Sequence, residues 1–219
     1  MATIFRSDVL KGFNFMKFAK YFVLGLFLSS SAHAYLSIAE SGELLAPGKY
    51  QVGVEPQLLT NKGNGANFNV FFDTAINESM SGRISMGAGA VDFNAFASAK
   101  WIPIPDVDNQ PAMGLRLGAG IARDEDENLI QLQLAPMLSK KFDTEYGMSV
   151  PYFSIPFTFL NTKEENYVAS NLAIGTEFHY VDWNQVTLGA ELGLELNKSY
   201  SYISIFATFP FESHKGFGK

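Results

Sequence analysis

Val186-Thr187-Leu188-Gly189-Ala190-Glu191-Leu192-Gly193-Leu194-Glu195-Leu196 reads in two registers at once. Every second residue from Val186 is apolar, giving Val, Leu, Ala, Leu, Leu, Leu. The residues between them are Thr, Gly, Glu, Gly, Glu. Successive side chains of a strand point to opposite faces, so this stretch predicts a strand with one uncharged face.

The same alternation recurs from Tyr50 to Phe211. Ten strands follow from it, at 49–59, 67–75, 82–89, 92–102, 112–122, 129–139, 148–159, 170–180, 186–196 and 202–211. Their apolar faces include Val52, Val54 and Leu58 in the first strand, and Leu115, Leu117 and Ile121 in the fifth. None of these apolar-face positions is charged, although 17% of the chain is. The segments are close to the ~9–11 residues that cross a bilayer at a tilt. A charge on the lipid face at mid-bilayer costs about 2–4 kcal/mol, which gives the avoidance a physical cause.

The opposite face is rich in small residues, among them Gly53, Gly87, Gly118, Gly175, Gly189 and Gly193. Glycine is poorly placed on an open strand surface but suits a narrow barrel interior. The fold class read from the sequence is therefore all-β, a closed antiparallel transmembrane β-barrel of ten strands over 48–211. Eight strands are the alternative, because single-chain barrels of this kind close with even counts. Pro151 and Pro156 in the seventh strand lack ladder donors and predict a bulge or a break.

The N-terminus differs. Met16-Lys17-Phe18-Ala19-Lys20 is a short basic start, an apolar run follows from Tyr21 to Leu28, and Ala32-His33-Ala34 forms an A-x-A site. This predicts a signal peptide cut after Ala34, with Met1–Asn14 as an upstream extension. Residues 35–47 lack the alternation; they read as an N-terminal periplasmic segment, either a tail or a stretch packed in the barrel mouth. Residues 212–219 read as a C-terminal tail.

The chain has 219 residues and no cysteine, so no disulfide framework or thiolate metal site is available. Removing residues 1–34 takes four Lys/Arg and one Asp from totals of 16 and 22, leaving 12 and 21, a net of −9. No basic stripe survives, so no nucleic-acid partner is expected. No cofactor is expected either.

An even count puts both termini at one end. The outer loops would be 60–66, 90–91, 123–128, 160–167 and 197–201, and the periplasmic turns 76–81, 103–111, 140–147 and 181–185. Tyr50, Trp101, Tyr146, Tyr180, Trp183 and Tyr200 fall near strand ends, as interfacial aromatics do. Asp106-Val107-Asp108-Asn109 reads as a turn, and Asp124-Glu125-Asp126-Glu127 as a solvated acidic loop without the spacing of a Ca²⁺ loop.

With this pattern the chain resembles the small outer-membrane β-barrel proteins of Gram-negative bacteria. Tyr202-Ile203-Ser204-Ile205-Phe206-Ala207-Thr208-Phe209-Pro210-Phe211 is similar to the aromatic-ended last strand that such proteins present to the barrel assembly machinery. The resemblance implies an outer-membrane location, contact with membrane lipid and lipopolysaccharide, handling by periplasmic chaperones, and a monomer. The family spans structural proteins, narrow pores and enzymes, so the resemblance leaves activity open.

The candidate site is the inward charge set: Glu55, Asp73, Glu177, Glu191 and Glu195 against Arg83, Lys100 and Arg116. Buried charges are costly unless paired, which predicts a neutralising network that plugs the lumen. The same residues could instead line a narrow cation-selective pore, since acids outnumber bases. A barrel enzyme hydrolysing lipid or peptide would need a histidine near the outer rim. His179 is expected near the periplasmic end, and His214 in the tail. A structural or narrow-pore role with no catalytic residue is the reading; a lipid- or peptide-hydrolysing enzyme or a soluble secreted all-β binding protein are the alternatives.

Overall fold

The computed structural model describes residues 37–61, 65–124, 127–163, 166–183, 185–212 and 216–217. The predicted leader, His214, Glu125 and Asp126 lie outside the described residues. The strands are β1 (Lys49–Leu59), β2 (Gly65–Asn77), β3 (Met80–Gly89), β4 (Phe93–Ile104), β5 (Ala112–Asp124) and β6 (Glu127–Ser139), followed by β7 (Phe142–Thr144), β8 (Gly147–Ser154) and β9 (Phe157–Asn161). The remainder are β10 (Asn166–Tyr180), β11 (Thr187–Asn197), β12 (Tyr202–Glu212) and β13 (Gly216–Phe217).

All pairings are antiparallel, the wall positions follow chain order, and the sheet closes when β1 pairs β12 from Lys49↔Glu212 to Leu59↔Tyr202. The barrel wall has ten strand positions among the described residues, because β8 and β9 share one. They are halves of the predicted seventh strand, interrupted at Ile155-Pro156. Both pair β6 and β10 in a continuous register, Met137↔Ser154 then Leu134↔Phe157, so the interruption is a break and not a bulge. Pro156 has no N–H to offer, and its lack accounts for the gap in the ladder.

Two short elements were not anticipated by the alternation. β7 pairs β8 as a small hairpin, and in the predicted tail β13 folds back on β12 through Phe211↔Phe217.

The two faces are inverted relative to a water-soluble protein. Outward residues such as Ile84, Leu117, Ile130 and Ile205 are all more than half exposed, while inward Glu55, Asn69, Asn94 and Gln131 are completely buried. Aromatic side chains gather at the end where the chain enters and leaves the wall. There Tyr50 stacks on Phe72 and Phe211, with ring centroids 5.9 and 5.6 Å apart, and Tyr180 meets Trp183 edge-on at 5.6 Å. Tyr200 departs from the predicted belt. It is buried inside the opposite rim with Leu59, Ala90 and Tyr202.

The inward glycines have a specific use. Gly53 pairs across strands with Phe71, Gly120 with Phe96, Gly175 with Tyr152, Gly189 with Phe206 and Gly193 with Tyr202. In each pair the ring lies where a glycine side chain would stand, so a Cβ there would collide with it. Large rings therefore fit a narrow lumen by lying flat against bare backbone.

At the terminal end the β4–β5 and β6–β7 connections are tied together. Lys140 pairs with Asp106 and donates to the Asp108 carbonyl at 2.5 Å, while the Lys141 N–H donates to Asp106 at 2.6 Å. The Lys140 hydrogen bond, helped by the Lys141 N–H, holds the Asp106 carboxyl below its ordinary pKa. A depressed carboxylate adds stability above its unfolded pKa, and that stability is lost as pH falls through the folded value.

Two outcomes follow for the wall and its turns. Ile84→Arg lowers folding stability in a bilayer by about 2–4 kcal/mol, while Ile84→Leu leaves it nearly unchanged, as read by reversible unfolding in lipid vesicles. Amide-exchange protection at Lys141 is retained at pH 7 and falls below the ordinary carboxylate range, and Asp106→Asn removes that pH dependence.

Candidate functional site

The barrel interior is filled by the chain's own N-terminal segment. Ser37, Ile38, Ala39, Glu40 and Ser41 are each at most 5% exposed, and from Glu43 the chain emerges at the terminal end to begin β1. Between the two positions that the sequence leaves open for residues 35–47, the structure puts Ser37–Gly42 in the lumen. It is not a free tail.

Lumen carboxylates capture the segment's donors. The Ile38 and Ala39 N–H groups donate to Glu191 at 3.0 and 2.8 Å. Ala39 has a positive φ of 45°, and the turn there aims two successive N–H groups at one carboxylate, an anion-binding nest. Tyr152 and Tyr202 hydroxyls complete the Glu191 shell at 2.6 Å each. Glu177 accepts the Ser41 N–H at 2.7 Å and its hydroxyl at 2.9 Å, and Glu55 accepts the Ser37 hydroxyl at 2.6 Å. Ser139 accepts the Gly42 N–H at 3.0 Å.

Lumen cations capture its acceptors. Arg83 donates to the Ile38 and Ala39 carbonyls at 3.1 and 3.0 Å, and Arg116 to that of Ile38 at 3.1 Å. Lys100 donates to the Ser41 and Glu43 carbonyls at 2.7 Å each. Between these three cations sits Glu40, 3.1 Å from Lys100, 3.5 Å from Arg116 and 4.0 Å from Arg83. Arg83 is held from behind by Asp73 at 2.6 and 2.8 Å and lies 3.9 Å over the Phe71 ring. Arg116 is oriented by Ser98 at 3.1 Å and lies 5.3 Å over Phe96.

Seven of the eight charges chosen from sequence thus meet around one segment, six by direct bonds and Asp73 through Arg83. Glu195 does not join them. It lies at the far rim, where Asn61 donates to it at 2.8 Å and its own N–H donates to Ser201.

Glu40 is the residue that the alternation could not reveal, since it sits in a stretch without strand period. The available signal was indirect: Arg83, Lys100 and Arg116 fall on three successive strands and need a common counter-charge.

His179 lies near the terminal end, as expected. Its Nδ1 is 2.9 Å from the Thr187 hydroxyl, and its Nε2 is 3.7 Å from Glu177. In outline this is hydroxyl, imidazole and carboxylate, the order of a nucleophilic triad. Glu177, however, already spends both oxygens on Ser41. The pocket these groups share with Glu40, Glu43 and Lys100 has a volume of about 140 Å³, below the ~300 Å³ where ligand pockets usually begin. The arrangement anchors the plug at its mouth.

No family model matches the chain, and no curated protein matches it in sequence. Solved structures that resemble it include LpxR from Salmonella typhimurium, at 10% identity and a TM-score of 0.42, covering 66% of this chain and 72% of that one. The translocator domain of the autotransporter NalP from Neisseria meningitidis matches at 10% identity and 0.45, over 77% and 89%. The N-terminal β-barrel domain of Pseudomonas aeruginosa OprF matches at 7% and 0.36, over 75% and 98%.

Glu40→Gln tests the network. It takes the ion-pair partner from buried Lys100 and Arg116, while Arg83 keeps Asp73, and should destabilise the folded barrel by about 3–5 kcal/mol, measured as a lower unfolding midpoint in denaturant with the heat-modifiable gel shift as readout. The closed ten-position wall, the uncharged outer band and the polar, filled interior make the chain a β-barrel of the outer-membrane kind.

Proposed function

We propose that this protein works as a closed outer-membrane barrel, a structural element whose lumen is sealed by its own N-terminal segment. In this reading it is exported through a cleaved signal peptide and inserted by the barrel assembly machinery with help from periplasmic chaperones. It stands as a monomer in contact with lipid and lipopolysaccharide, and it is not an enzyme. The terminal end faces the periplasm.

The observation that carries the reading is the placement of Glu40 among Arg83, Lys100 and Arg116, with Ser37–Gly42 bonded on all sides. Charged rings that would select ions in an open pore are here consumed by the plug. The far rim adds a second closure, since Leu59, Ala90, Tyr200 and Tyr202 pack together there, as do Val91, Ala122 and Leu129.

A narrow pore is the second reading, favoured by the same inward acids if the segment can leave. Planar-bilayer recording separates the two. The intact protein gives no discrete conductance, and deletion of residues 37–43 gives cation-preferring steps. Steady conductance from the intact protein would contradict a closed barrel.

A further inference from the structure

The segment that fills the lumen is held as a ligand is held. All ten wall positions pair with one another, and among the described residues none from 37 to 48 enters a ladder. Wall side chains, from Glu55 on β1 round to Glu191 on β11, make the hydrogen bonds to Ser37–Gly42. Taking the segment away would break no ladder bond, whereas taking away any wall strand would open the sheet. Its covalent tie to the wall runs through 43–48, of which Ala46, Pro47 and Gly48 are exposed at the terminal end. At the mouth a cavity of about 140 Å³ reaches Glu40, Lys100 and Glu177, so solvent meets their bonds from that end.

The contacts also read sequence. Ile38 joins the apolar cluster that holds Ile102, Met137, Tyr152 and Phe206. Ala39, at a φ of 45°, has to be small, because a branched side chain is strained there. Glu40 fills the slot among Lys100, Arg116 and Arg83. The Ser37 and Ser41 hydroxyls donate to Glu55 and Glu177. At position 42 any Cβ would collide with the Ser139 hydroxyl, which selects glycine. The other bonds go to main-chain N–H and C=O groups of Ile38, Ala39 and Ser41. Main-chain bonds give a peptide site its affinity and side-chain pockets give it choice, and this lumen has both.

We propose that the lumen is a peptide-binding site in its own right, with Ser37–Gly42 as a resident ligand that a peptide from another chain can replace. The ligand class is a short acidic peptide of the pattern Ser, apolar, small, Glu, Ser, Gly, presented from the terminal end. The proposal rests on the plugged reading and adds exchange to it. Mass action then decides whether the protein's own segment or a partner's fills the lumen. The short tether gives the resident segment an effective concentration on the order of millimolar, so a free peptide competes well only once the tether is cut.

The test uses the full-length protein with a specific protease site inserted between Pro47 and Gly48, folded in mild detergent and then cut there. An acetylated peptide copying residues 37–44 carries a fluorophore on its C-terminal end, the end that leaves by the mouth. Uptake is read by fluorescence anisotropy and native mass spectrometry, with the heat-modifiable gel shift reporting the wall. The cut protein should stay folded and trade its own fragment for the labelled peptide. A peptide with Glu40→Gln, which leaves Lys100 and Arg116 without their ion-pair partner, should bind about thirtyfold more weakly or worse. A scrambled peptide of the same composition should not bind. If the insertion stops folding, the uncut Glu40→Gln protein takes its place: added peptide should raise its unfolding midpoint, and no rise overturns the proposal. No uptake by a cut protein that keeps its fold and its fragment, or equal uptake of the scrambled peptide, would overturn the proposal and leave the plug standing. A fragment that leaves the folded barrel on cutting, with no peptide taken up in its place, would overturn the plugged reading as well.

Discussion

A single carboxylate, Glu40, holds the interior together. Arg83, Lys100 and Arg116 are each at most 5% exposed, and three like charges at that depth would repel one another and lack water. Glu40 supplies the opposing charge from a segment that does not belong to the wall. Around that contact the rest is arranged: Asp73 steadies Arg83 and Ser98 steadies Arg116. Glu191 and Glu177 take the donors that the segment presents on either side of Glu40.

This arrangement explains why the wall tolerates so many inward charges and glycines. Most of the charges are ligands for a peptide: Glu55, Glu177, Glu191, Arg83, Lys100 and Arg116 each find a backbone or side-chain partner on it. The glycines let Phe71, Phe96, Tyr152, Phe206 and Tyr202 lie flat against the wall, which leaves room for the segment between them. Two of those rings, Phe71 and Phe96, also carry the guanidinium groups of Arg83 and Arg116 on their faces. Packing and electrostatics therefore act on the same few residues. The outer face has a separate task, which is to meet lipid without charge.

Much of this was legible in the sequence, and for a local reason. Period-two alternation is a property of neighbouring residues, so the wall, its two faces and the inward charges could be read from stretches such as Val186–Leu196. The interruption at Ile155-Pro156 followed from the missing proline donor. For Ser37–Gly42 the sequence left two positions open, a tail or packing in the barrel mouth, because a segment bonded by side chains from many strands has no period of its own. Tyr200 was misplaced for a related reason. Its position at a strand end suited a lipid-facing aromatic, but the loop turns it inward onto Tyr202 and Leu59. Glu195 shares the inward parity of Glu191, yet strand length carries it past the plug to the rim.

The central claim is that Ser37–Gly42 lies inside the wall in the native protein, and a cross-link tests it most directly. Gly42 donates to Ser139 at 3.0 Å, and a Cβ on Gly42 would touch that side chain. With no native cysteine, Gly42→Cys combined with Ser139→Cys offers one possible disulfide. The account predicts that it forms in the intact outer membrane under mild oxidation. Two thiols that stay free and open to alkylation would contradict it.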